Sequence, residues 1–155
     1  MASDWLRYHQ LMWGWKAGIS PIPNLRMIGG DWVTKVLIDA CGWVAIIEGG
    51  LNVDLAMADV VGTFEPVLLN QVLKELGMIQ EKTTSPLLID FLTSRSVLIE
   101  GPEEANHPDD QLVIVASQEN WPVLTVDSRL KQRLVEINCS YIEVMSGQNL
   151  RLVSL

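Results

Sequence analysis

The chain has 155 residues, 48% of them hydrophobic, enough for one folded domain with its own core and too apolar for a disordered tail. Its formal net charge of −8 counts against a basic face that grips nucleic-acid phosphates non-specifically. It leaves room for an enzyme whose carboxylates hold cations that in turn hold phosphates.

Residues 1–34 read as a Trp-rich N-terminal extension carrying Trp5, Tyr8, Trp13 and Trp15. Asp4 stands where a helix N-cap would, followed by Trp5, Tyr8 and Met12 at helical spacing. Gly18, Pro21 and Pro23 end that pattern. The ordinary reading is a helix packed on the domain's own core. The sharper one is a surface for a homodimer or a protein partner, because exposed aromatics mark interfaces. Asp4 and Arg7 interrupt any signal-peptide pattern, and the longest apolar run is broken by Asp39. A cytoplasmic protein with no membrane contact is expected. Cys41 and Cys139 read as small buried hydrophobes rather than a disulfide or a zinc site.

The domain proper is expected over residues 35–155. "KVLID" (35–39) reads as a buried strand ending in an acid, and "ACGWVAIIEGG" as a helix stopped by Gly49 and Gly50. A helix capped by Asn52 follows, then a strand at 65–69 and a helix at 70–79 capped by Asn70. Ser85 and Pro86 are expected to open the next helix, followed by a strand at 96–101. A helix starts near Pro108, a strand occupies 122–127, and "SRLKQRLVEIN" is helical. "YIEVM" (141–145) is a strand, and "LRLVSL" is read as one more. Strands alternating with helices predict an α/β fold: a three-layer α/β/α sandwich around a central, mostly parallel sheet.

In such sheets the site lies beyond the carboxyl ends of the strands. Asp39 and Asp127 end strands, Asp109 opens the helix before the second of these, and Glu75 sits on the helix after "EPVLL". Taken singly, Asp109 or Asp127 is well explained as a helix cap. Asp39 is harder to explain that way, because it lies between "VLI" and "ACGWVAII", where an unpaired carboxylate is costly. Four converging carboxylates repel one another, and bound Mg²⁺ or Mn²⁺, hard cations that prefer oxygen ligands, would relieve that repulsion.

The motifs "VLIDACGWVAI", "FEPVLLNQVLKEL", "DDQLVIVA" and "PVLTVDSRLKQRL" together resemble the PIN domain, a nuclease fold. The resemblance covers about residues 35–153 and looks nearest to archaeal ribosomal-RNA-processing PIN proteins and the toxin–antitoxin ribonucleases. Asp39 matches the family's Asp at the end of the first strand, and Glu75 its Glu on the helix after the second. Asp109, Leu112 and Ala116 match the later helix motif, and Thr125 with Asp127 the Thr/Ser/Asn-x-Asp that follows. One departure stands out: Ala40 and Cys41 follow Asp39, where the family often has Thr or Ser and then Asn or Ser.

The resemblance implies metal-dependent hydrolysis of phosphodiesters in single-stranded RNA, with Mg²⁺ or Mn²⁺ held by Asp39, Glu75, Asp109 and Asp127. Asp110 is expected to point away or support the ligands from behind, and Thr125 to orient Asp127 by a hydrogen bond. Lys35, Lys74, Arg95, Arg129, Lys131 and Arg133 are the candidate cations for substrate grip. For each of them an ordinary solvated position is the better reading. His107 reads as a loop histidine rather than a general base. The competing reading is a PIN scaffold that binds RNA or a protein without cutting. A receiver domain or a phosphatase fits less well, since both want a further acid near Asp39, where "DAC" stands.

Overall fold

The computed structural model describes residues 25–28, 31–146 and 149–154. The helix expected from Asp4 and the aromatic surface it would carry lie outside them. Thirteen elements follow in order. They are β1 (Leu25–Ile28), β2 (Asp31–Ile38), α1 (Ala40–Glu48), α2 (Val53–Val61), β3 (Phe64–Leu69), α3 (Asn70–Lys82) and α4 (Ile89–Arg95). Then come β4 (Val97–Ile99), α5 (Pro108–Glu119), β5 (Val123–Leu124), α6 (Ser128–Glu136), β6 (Tyr141–Met145) and β7 (Asn149–Val153).

The strands form one sheet in the order β4-β3-β2-β5-β6-β7, with β1 against the start of β2. The central five strands are parallel, while β7 runs antiparallel to β6 and β1 antiparallel to β2. Successive strand residues point to opposite faces, yet Val36, Leu37 and Ile38 are all buried, as are Val67, Leu68 and Leu69. Both faces of the sheet are therefore covered, as an unbroken Val/Leu/Ile run in a central parallel strand demands. The expected α/β/α sandwich is what forms. Residues Asp31–Thr34, ahead of "KVLID", already belong to β2 and pair with β1.

Local departures have local causes. Asn70 is the first residue of α3 rather than its cap; the cap is Leu69, without a side-chain bond, and the helix runs on to Lys82. The helix expected from Ser85 begins only at Ile89. The Gln80 side chain captures the intervening segment: Oε1 accepts from Leu87 N at 2.8 Å and Nε2 donates to Ser85 O at 3.1 Å. Leu87 O in turn accepts from Trp43 Nε1 at 2.8 Å. These bonds occupy groups a first helical turn would use, and Leu88 enters α4 from the left-handed region at φ 53°.

Gly42 fixes the distance between α1 and the sheet. A Cβ at that position would lie 2.5 Å from Leu124 O. Substitution with Ala must push α1 off β5, and Gly42→Ala is expected to cost about 1–3 kcal/mol, read as a lowered urea midpoint at unchanged slope. A midpoint equal to wild type would show that the helix is free to move.

Candidate active site

Parallel pairing places the ends of β2 and β5 side by side, and Asp39 N donates to Leu124 O at 3.0 Å. Asp39 leaves β2 in an extended conformation and caps α1, its Oδ1 accepting from Ala40 N at 2.9 Å. It is only 3% exposed. Its second oxygen accepts from Thr125 Oγ1 at 2.8 Å and from Cys41 Sγ at 2.9 Å. Three donors around one buried carboxylate satisfy it without a cationic side chain.

Thr125 is fully buried, and its hydroxyl does two things at once. It donates to Asp39 and accepts from Asp127 N at 3.1 Å. Asp127 is thereby held by its backbone, and its own Oδ1 caps α6 by accepting from Arg129 N at 2.8 Å and Leu130 N at 3.4 Å. Asp109 lies in the first turn of α5, where His107 is the N-cap and accepts from Asp109 N through Nδ1 at 3.1 Å. That bond uses His107 as a cap. Glu75 sits half-buried on α3.

The electrostatics tie these groups together. Burial, and then the Asp39 carboxylate, raise the pKa of both Glu75 and Asp109. Asp127 raises both further, Asp109 adds to the effect on Glu75, and His107 pulls both the other way. Such terms act only over short range, so all four expected acids share one neighbourhood at the carboxyl edge. Cys41 belongs there too. Burial and the neighbouring Asp39 push its thiol up to about 11, so it stays protonated and keeps donating. Where the resemblance leads to the expectation of a hydroxyl or amide after the first Asp, a thiol donates to Asp39.

Of the other expected residues, Arg133 lies near enough to Asp109 to pull its pKa the other way. Asp110 pairs with Arg133 at 2.7 Å. Lys35 is buried in β2, pairs with Glu65 at 3.2 Å and lies over the Trp121 ring. Arg95 precedes β4, hence at the amino edge of the sheet, and pairs with Asp54. Lys131 pairs with Glu143 at 2.7 Å. Lys74 and Arg129 have no ion-pair partner among the described residues.

Neither a family model nor a curated protein matches the chain. Among solved structures it is similar to the PIN domain endonuclease Utp24, with a TM-score of 0.65 at 19% sequence identity, over 79% of this chain and 92% of that one. The chain has the PIN-domain fold. In that fold the strand-end acids described above lie at the carboxyl edge of the sheet. The donor set is all oxygen, which suits Mg²⁺ or Mn²⁺. Among the described residues no three His, Cys, Asp or Glu side chains close into a metal cage. Mg²⁺ does not need one, since it keeps several waters and takes one or two carboxylates.

Two outcomes are expected. Thr125→Val removes a donor from Asp39 and an acceptor from Asp127 N together, and should cost about 1–3 kcal/mol in urea unfolding, with Thr125→Ser restoring it. The folded pKa values of Glu75 and Asp109 lie above their unfolded ones. Stability from these groups is therefore present below the ordinary carboxylate range and lost as pH rises through the raised values. The melting temperature of the metal-free chain should fall across that interval, and millimolar Mg²⁺ or Mn²⁺ should restore it. Insensitivity to both would show that the acids do not repel one another.

Proposed function

We propose that the chain is a metal-dependent endoribonuclease that hydrolyses phosphodiester bonds of single-stranded RNA, with a role in RNA processing. The observation that carries this reading is the gathering of half-buried Glu75 and Asp109 near Asp39 and Asp127 on a PIN fold, where burial first and then those carboxylates raise the pKa of both. Perturbed acids gathered in this way are more characteristic of a working site than of a packing solution. Asp39, Glu75, Asp109 and Asp127 would hold Mg²⁺ or Mn²⁺. When bound, the metal supplies positive charge against the phosphate oxygens and acidifies a water.

The chain's own residues do the rest. Ala40 N, Cys41 and Thr125 hold the Asp39 carboxylate in one orientation. The Thr125 hydroxyl sets Asp127 relative to it. Glu75, with its raised pKa, is suited to position the attacking water and accept its proton. Lys74 and Arg129 have charges left for the RNA backbone.

The second reading is a PIN scaffold that binds RNA or a protein without cutting. The open arrangement of the acids and the ion pairs that engage Lys35, Arg95, Lys131 and Arg133 favour it. Cleavage of a labelled single-stranded RNA with Mn²⁺, Mg²⁺ or EDTA separates the two. The nuclease should require metal, and Asp109→Asn should lose roughly two orders of magnitude in rate. Folded wild-type protein that neither cleaves RNA nor binds Mn²⁺ by calorimetry would leave the scaffold.

A further inference from the structure

Around α4 an apolar face is left uncovered among the described residues, and none of the four acids belongs to it. A shallow depression there is lined by Trp43 of α1, Val53 of α2, Phe64 and Pro66 of β3, and Phe91 and Leu92 of α4. Its aromatic wall is well built. Trp43 stacks on Phe91 with ring centroids 6.4 Å apart, and Arg95, held by Asp54, lies 5.3 Å over the Phe91 ring. The depression itself holds only ≈ 10 Å³, room for about one water, so an occupant rests on its rim rather than entering it.

That rim is apolar. Phe91 is 43% exposed and Leu88 49%, and Leu98 of β4, the outermost strand, is 45% exposed. Leu88 is also the residue that enters α4 from the left-handed region, which a bulky side chain adopts only when its surroundings impose it. A leucine held in a strained backbone with half its surface in water is a poor packing solution. Clustered with Phe91, it marks a surface built for a contact.

Sequence and topology supply the occupant. Three of the six tryptophans, Trp5, Trp13 and Trp15, precede β1. Trp5, Tyr8, Met12 and Trp15 follow one another at intervals of three, four and three residues, the spacing of one helix face. The point of attachment is close by. Leu25, the first residue of β1, and Phe64 are both register partners of Thr34, on its two sides. At the spacing of paired strands they stand about 10 Å apart. Trp15 lies ten residues ahead of Leu25, a stretch that spans up to about 35 Å, so the aromatic stripe reaches the rim without strain. The tether keeps it there at an effective concentration that a free partner would have to exceed. Charge agrees: this segment carries Arg7 and Lys16 against Asp4 alone, while Asp90 is exposed next to Phe91.

We infer that this face is the docking site of the chain's own Trp-rich segment, with Tyr8, Met12 and Trp15 lying over Leu88, Phe91 and Leu98. The test uses the full chain in two arms. In the first, amide NMR spectra of wild type and Trp15→Ala are compared. Beyond the neighbours of residue 15 in sequence, shifts should gather at residues 88–98 and leave β6 and β7 unmoved. Shifts gathered elsewhere, or none, would overturn the docking. In the second arm, trypsin cleavage after Lys16 is timed under conditions that leave the domain intact. The double variant Leu88→Asn with Phe91→Gln should be cut about tenfold faster than wild type, because a docked segment must open before it is cut. Should loss of Phe91 unfold the chain, Leu88→Asn alone decides, since Asn tolerates the left-handed backbone at that position. Equal cleavage rates refute the docking and leave the face to a separate partner. Protection in wild type should also be independent of protein concentration, with a monomer in sedimentation. Protection that grows with concentration as a dimer forms would assign the face to a second copy instead and overturn the inference.

Discussion

A single hydroxyl holds the two strand ends of this site together. Thr125 Oγ1 gives its proton to the buried Asp39 carboxylate and takes the backbone proton of Asp127. Each bond is ordinary in length. Their arrangement makes one buried side chain the hinge between β2 and β5. Its setting depends on the rest of the sheet: the parallel register Leu37↔Val123 and Ile38↔Leu124 brings residue 125 level with residue 39. Gly42 permits α1 to sit against Leu124 closely enough for Asp39 to cap that helix. Slip any of these and the acids separate.

The acidic composition then ceases to be a puzzle. Lys35, Arg95 and Lys131 are engaged in ion pairs of their own, while Arg133, paired with Asp110, lies near enough to Asp109 to oppose the rise of its pKa. Lys131 and Arg151 both serve the nearly buried Glu143, which they hold below the usual carboxylate range. Arg133 faces Asp110. Burial, and then the neighbouring carboxylates, raise the pKa of Glu75 and Asp109. An acidic edge of this kind is not a basic groove that grips phosphates directly.

At Ala40 and Cys41, where the expected pattern has other residue types, it is a thiol that donates to Asp39. A thiol is a weak donor, and in solution it would be a poor substitute for a hydroxyl. Here it is half-buried against a carboxylate that keeps it protonated. Sulfur therefore supplies the second donor to Asp39 Oδ2, from the first turn of α1.

The local sequence by itself determined the element types and the alternation that makes an α/β fold. Unbroken runs such as "VLI" (36–38) and "VLL" (67–69) read as buried strands, and His107 with Pro108 as a helix start, and these readings match β2, β3 and α5. It also placed Asp39 at the end of β2, whereas the strand expected over 122–127 stops at Leu124 and leaves Asp127 as the cap of α6. Tertiary structure decided the rest. Ser85 and Pro86 look like a helix start, but hydrogen bonds with Gln80 and with Trp43, the latter far away in sequence, hold that stretch open until Ile89. The role of Thr125 as donor to Asp39 spans 86 positions and is invisible to any local pattern. Periodicity reports what a segment does to its own backbone. Which side chains meet across the sheet depends on strand order and register, and those are settled only when the whole core packs.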